Sequence, residues 1–409
     1  MVLYFMTDIL IARTLPGDAY GEWTFFYALM TMCFWVVWLG INASTKRYVA
    51  ISADDRSIQY GNIRAGVFLR VCVSMGFIPI LLLLTGVSAG ALGYPQKYPH
   101  LRSLMLIGCA LCFFNSFSEF FKDLFVGLIR FRNIFWMSLV EFGGYLVFGI
   151  GLLWLFGTVY ALAWGYVASV LLTGALGALL LKKYIAQRFQ AIRPAQIGEA
   201  RRSILRYAMP FFAVSFGALI LMEIDTFMIG ILRPDAAETG IFAVAKNLSG
   251  KATHINLALA TSMMTAFAFI TPENLRDKKM YFRRVLLINL GVTLLVCLAF
   301  LTLGRQAILL IYGGGFEASG IVLWILIPYY FQYSISLFYS ILLDYHGKAY
   351  TRSLFYYLMV FLDLVLNSML IPRYGAVGAA AATSISLLPY LIALIWLSRK
   401  LFREIEKRA

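Results

Sequence analysis

The sequence predicts an all-α polytopic membrane protein, with about twelve transmembrane helices in two six-helix lobes built as parallel repeats around a central cleft. Three observations predict it. Apolar residues make up 61% of the chain and charged residues only 13%, with a mean hydropathy of +0.79; a soluble domain is nearer half apolar and a quarter charged. Apolar runs of span length recur along the whole chain. Segments from one half recur in the other at a nearly constant offset.

A spanning helix needs about 20 mostly apolar residues, and lipid offers the backbone no hydrogen-bond partner, so each span is expected to be helical. Twelve candidates lie at roughly 1–12, 22–43, 64–86, 103–129, 133–156, 159–181, 204–231, 240–270, 284–303, 320–343, 353–371 and 375–397. The first begins at Met1 without a polar leader and is short for a span, which leaves the completeness of the N-terminus open. No small-residue cleavage site follows Leu10-Ile11-Ala12-Arg13, so a cleaved signal peptide is not expected. The longest polar linker, KKYIAQRFQAIRPAQIGEARRSILR from Lys182, divides the spans six and six. The expected organisation is an N-terminal lobe over 1–181, a cytoplasmic linker over 182–203, a C-terminal lobe over 204–397 and a basic cytoplasmic tail over 398–409.

A net charge of +15 could suggest a nucleic-acid partner, but its distribution excludes that reading. Of the 35 Lys and Arg, 25 fall in or beside the loops after even-numbered spans and the C-terminal tail, six in the loops after odd-numbered spans, and four within spans. The bias predicts that the even loops and both termini face the cytoplasm. The basic clusters then read as topogenic and as facing membrane lipids.

The repeat appears twice. DILIARTLPGDAYGEWTFF from Asp8 matches DTFMIGILRPDAAETGIFAV from Asp225, both running acid, apolar stretch, Arg-containing turn with Pro and Asp-Ala, then Gly and an aromatic. FGTVYALAWGYVAS from Phe156 matches YGAVGAAAATSISL from Tyr374. Six spans per half is an even number, so both halves enter the membrane with the same orientation. At the second match, Pro372 and Gly375 are expected to form a tight outward turn. The small residues from Gly378 to Ala382 are expected to let the last helix lie close against its neighbour.

That same stretch, an Asn followed by LIPRYG, GAA, AT and Ser, resembles the last two helices of polysaccharide flippases in the multidrug/oligosaccharidyl-lipid/polysaccharide exporter superfamily. ARTLPGDAYGEW resembles that family's N-terminal turn, although LPGD stands where Leu-Gly-Pro is usual. LGINASTKRYVA, DTFMIG with ETGIFAVAK, and ILLIYGGGFEASGIVLWIL resemble further family segments in order. The resemblance implies a flippase that moves undecaprenyl-diphosphate-linked oligosaccharides across a bacterial inner membrane by alternating access, for O-antigen, capsule or exopolysaccharide synthesis. It implies that lipid-linked oligosaccharide as partner, with other polysaccharide assembly proteins besides.

Ionisable residues inside spans are costly and so mark cavities or partners. In AVAKNLSGKATHINLA, Lys246, Lys251 and His254 lie at about 0°, 140° and 80° around a helix, with Asn247 and Asn256 nearby. They are expected to form a cationic wall for a diphosphate and sugar hydroxyls. The alternative is that Lys246 snorkels and Lys251 pairs with a carboxylate. Glu119, Lys122 and Asp123 are spaced to pair within one helix, although Lys122 is also a candidate cavity residue. Glu223 and Asp225, near the repeat mate Asp8, would bind a coupling H⁺ or Na⁺, or else bridge to Lys246 or Lys251. Glu141 and Asp363 occupy the fifth span of each half, as cleft-lining or paired acids. Arg13 and Arg47 lie at span ends, for phosphate contact or interfacial anchoring.

Other features read as structural. The five cysteines fall inside spans with no metal or disulfide spacing, Gly313-Gly314-Gly315 lacks the Lys-Ser/Thr of a phosphate loop, and the tryptophans suit interfacial belts. No metal or organic cofactor is expected. A membrane enzyme is not expected either, because no outward loop carries a carboxylate pair or a His-rich cluster. The alternative from the same superfamily is a cation-coupled multidrug exporter, which the span-eight lysines disfavour.

Overall fold

A computed structural model describes residues 2–91, 97–189, 194–262, 270 and 273–407, and all regular structure among them is helical. The chain divides into two compact units, Met1–Glu223 and Ile224–Ala409. The division falls inside one helix.

The first unit holds α1 (Val2–Thr14), α2 (Gly17–Trp38), α3 (Ile41–Ile51), α4 (Arg56–Ala91), α5 (Leu101–Gly127), α6 (Phe131–Phe156), α7 (Val159–Arg188) and most of α8 (Ile197–Leu232). The second unit takes the end of α8 and then α9 (Ala237–Ser262), α10 (Leu275–Tyr312), α11 (Ser319–Tyr345) and α12 (Ala349–Glu406). Each predicted span falls on a helix as far as it is described; residues 263–269 of the eighth lie outside the described residues. The last two spans are the two arms of α12, which breaks at Gly375. By length and apolarity alone, seven described helices can cross a membrane, or eight with α2 and α3 taken together. The protein is a multi-pass membrane protein.

The second span differs from its expected continuous form. It breaks at Leu39 and Gly40, both with positive φ, and α3 leaves α2 at 45°. A Cβ at Gly40 would overlap the Ala208 carbonyl of α8, so only glycine fits this corner. A wholly buried arginine, Arg70 of α4, closes the break. It donates to the freed carbonyl of Val37 and to Asn42 Oδ1, at 3.2 Å, across it.

The two units repeat a turn as the sequence predicts. Gly157 and Gly375, separated by the repeat offset, both have positive φ, at 64° and 57°. Around Gly375, Arg233 donates to the Pro372 carbonyl at 3.0 Å and to Glu238 at 2.7 Å, and the Ala376 N–H donates to Glu238 at 3.1 Å. Two of the sequence segments that carry the resemblance thus meet at one corner. Gly378 packs against the Leu370 backbone of the preceding arm so closely that no Cβ would fit.

Helix α5 is the inner helix of its unit, with Phe120, Phe121, Leu124 and Phe125 at the centre of the apolar core. Helix α10 lies outermost in the second unit and presents Leu287, Leu294, Leu298 and Leu301 on its exposed face, as lipid contact requires. Of the cysteines, Cys109, Cys112 and Cys297 are buried, and all five are free. Trp154, Trp164, Trp324 and Trp396 are exposed, in keeping with interfacial belts.

Candidate functional site

Asp225 on α8 and Asp363 on the first arm of α12 meet inside the second unit, 5% and 0% exposed. Their carboxyls share one hydrogen-bond donor. Asn367, one helical turn beyond Asp363, bridges them. Its Nδ2 donates to Asp225 Oδ1 at 2.7 Å and to Asp363 Oδ2 at 3.0 Å. From the second arm, Thr383 donates to Asp225 at 3.0 Å and Ser386 to Asp363 at 3.0 Å. The Gly375 corner makes this possible, because it folds the arm bearing Thr383 and Ser386 back onto the arm bearing Asp363. Lys246 of α9 donates to Thr226 at 3.3 Å and acts electrostatically on Asp225. Among the described residues the Asn367 side-chain carbonyl oxygen is buried without a partner. Two buried carboxylates that share one amide donor favour a cation or a proton to offset their charge.

The first unit solves the same problem differently. Lys122 on α5 contacts Glu119 within its own helix and Glu141 of α6 at 2.9 Å. Ser118 donates to Glu141 at 2.8 Å. The expected pairing inside α5 is therefore only part of the arrangement. Asp123 pairs instead with Lys46 of α3 at 2.7 Å, because a cation one position away on the helix points to a different side. Beside this cluster, Tyr4, Tyr27, Tyr145 and Tyr166 come together from four helices, with the Tyr145 and Tyr166 rings 4.6 Å apart. Tyr145 opens a π-helical turn, Tyr145–Ile150, of the kind that recurs at functional sites.

The model of a family described as polysaccharide biosynthesis protein matches residues 1–268. The chain belongs to that family. Among solved structures, an inward-facing multidrug resistance transporter of the MATE family and MOP superfamily aligns at a TM-score of 0.81 and 13% identity, covering 99% of this chain and 95% of that one. The lipid II flippase MurJ, in an inward closed conformation, aligns at 0.72 and 17%, covering 99% and 87%. A MOP superfamily transporter from Pyrococcus furiosus, described as having reversed binding-pocket polarity, aligns at 0.65 and 15%, covering 99% and 92%. The fold is that of MOP superfamily transporters. No curated protein sequence matches the chain.

In this polysaccharide biosynthesis family member, the remaining candidates spread out. Lys246, Asn247 and Lys251 are half-buried and His254 is exposed near Lys251. Lys246 turns towards Thr226 and Asp225. Asn256 does not extend the polar wall. It is wholly buried among Asn289, Thr293 and Tyr330, with hydrogen bonds of 2.7–2.9 Å to each, and so ties α9 to α10 and α11. Asp8 accepts from Tyr20 at 3.2 Å. Glu223 belongs to the first unit and acts electrostatically on Tyr27. Arg13 is exposed, and exposed Arg47 stacks on Tyr207, 4.3 Å from the ring centroid. Asn367, Thr383, Ser386 and Ser118 are absent from the sequence-derived candidates. The signal for Asn367 was its position four residues after Asp363, on the same helix face.

Proposed function

We propose that the protein is a flippase that translocates undecaprenyl-diphosphate-linked oligosaccharide units across the bacterial inner membrane by alternating access, with both termini cytoplasmic. One conjunction carries the reading. The chain belongs to a polysaccharide biosynthesis family and has a transporter fold. Saccharide units made on one side of a membrane and used on the other require carriage, and a lipid-linked saccharide is the form that a membrane transporter would meet.

In this reading Lys246 and Lys251 meet the diphosphate as point charges, with Asn247 and His254 beside them, and Arg13 and Arg47 are further candidate contacts. Asp225 and Asp363 take a coupling H⁺ or Na⁺. The two functions connect through Lys246. When phosphate draws this lysine away from Asp225, the acid pair loses a compensating charge and its demand for a cation rises. A ligand shifts two states only by its differential affinity for them, and this competition supplies such a difference.

Deletion in the producing organism, followed by extraction of polyprenyl-linked lipids, tests the function. Accumulated lipid-linked repeat units with loss of surface polysaccharide are expected, and their mass identifies the sugar. Unchanged lipid pools with increased sensitivity to cationic drugs would replace this reading with that of a multidrug exporter. Transport that survives Lys246→Glu together with Lys251→Glu would remove the lysines from the phosphate site.

A further inference from the structure

Away from both acidic clusters, a cavity of about 680 Å³ opens inside the second unit, between the first turns of α10, Tyr339 of α11 and the last turns of α12. Its rim carries four cations, Arg276, Lys279, Arg283 and Arg399, against one carboxylate, Glu406. Lys279 pairs with that carboxylate at 3.1 Å. Among the described residues no carboxylate lies within ion-pair distance of Arg276, Arg283 or Arg399. An excess of positive charge around a concave surface raises the local concentration of anions.

The floor is apolar, formed by Phe282, Leu286 and Phe402. The level matters too. The basic turns of α10 give way at Val285 to the apolar run whose exposed face, Leu287 and Ile288 onward, contacts lipid. The cavity therefore sits at the membrane–water boundary, cations towards water and aromatic floor towards the acyl region.

We propose that this cavity binds an anionic glycerophospholipid of the bilayer. Its phosphodiester is held by Arg276, Arg283 and Arg399, and its upper acyl chain lies on Phe282 and Phe402. Basic pockets between helices at the membrane surface hold anionic headgroups in this way. The assignment does not depend on what the transporter carries.

Native mass spectrometry of the full chain released from micelles, after exchange into phosphatidylglycerol or phosphatidylcholine, tests it. The wild-type chain is expected to retain phosphatidylglycerol and shed phosphatidylcholine. Replacing the three exposed arginines by glutamine should weaken retention about a hundredfold, at roughly 1 kcal/mol per basic contact, whereas replacing them by lysine should weaken it only a few fold. Arg399→Gln alone removes one contact and should cost about fivefold, which keeps the test open if the triple glutamine variant folds poorly. Equal retention of the two lipids, or no loss in both the triple glutamine and Arg399→Gln variants, overturns the site. Thermal protection by inorganic phosphate or glycerol phosphate equal to that by the intact lipid would make it a soluble-anion site and overturn the lipid assignment.

Discussion

Each unit buries an acid on its fifth span, Glu141 in the first and Asp363 in the second, and the two are neutralised by different means. In the first, Lys122 sits between Glu119 and Glu141 as a permanent counter-charge. In the second, the hydrogen bonds to Asp225 and Asp363 come from Asn367, Thr383 and Ser386, all neutral, and the lysine nearby donates to Thr226. A cluster with its own cation is fixed in charge and suits a structural joint. A cluster held by neutral donors can gain or lose a cation as its surroundings change, and that suits a switch.

The largest expected effect separates the two clusters by function. Asp363→Asn or Asp225→Asn should reduce transport of the lipid-linked saccharide about 100-fold, the upper range of a coupling energy. The folded protein should be as stable or more so, because a buried charge has been removed. Counterflow assays in vesicles alongside thermal melts would check both. Full transport by both variants would show that the pair is structural and end the contrast.

Next in size, Lys122→Met should destabilise the protein by about 3 kcal/mol, since it strands the buried carboxylate of Glu141 and the half-buried one of Glu119. Adding Glu141→Gln should restore part of the loss. Denaturant titration of the single and double variants reads the coupling directly. Additive losses would mean that Lys122 does not serve as the shared counter-charge.

The sequence made the first of these elements visible and hid the second. A charge inside an apolar run announces itself because it is costly there, so Asp225, Asp363, Glu141 and Lys122 could all be found one by one. That Asp225 meets Asp363 depends on how α8 packs against α12, which helix periodicity does not contain. Neutral donors give no such signal: Thr383 and Ser386 look like small packing residues, and they are also that. Asn256 erred in the other direction. Its place on the polar side of α9 is correct, but that side turns onto α10 and α11, where Asn289, Thr293 and Tyr330 satisfy it. The spans, the turn at Gly375 and the close packing after it were legible because each follows from local chemistry. The break at Leu39 and Gly40 was not, because it depends on Ala208 and Arg70 from elsewhere in the chain.

The repeated turn offers a smaller contrast. Gly157 and Gly375 share a positive φ, so alanine strains both by about 1 kcal/mol. Only at Gly375 would the new Cβ meet a neighbour, the Glu238 carboxylate, whereas nothing lies near Gly157. Gly375→Ala should therefore cost about twice what Gly157→Ala costs, measured as the difference in melting temperature. Equal losses would mean that Arg233 and Glu238 move aside freely and do not clamp the corner.

The smallest effect tests the comparison most finely. Ser118 donates to Glu141 and Ser386 donates to Asp363, so each alanine variant removes one hydrogen bond from one buried carboxylate, worth about 1 kcal/mol. In the first unit Lys122 still covers the charge, and Ser118→Ala should lower stability alone. In the second unit Lys246 donates to Thr226 and acts on Asp225, and the freed lone pair of Asp363 is left to the coupling ion. Asp363 should then hold its coupling ion more tightly, so Ser386→Ala should lower the half-saturating ion concentration about fivefold while slowing turnover. A shift in ion dependence with Ser118→Ala, or none with Ser386→Ala, would mean that neutral donors do not distinguish a switch from a joint in this fold.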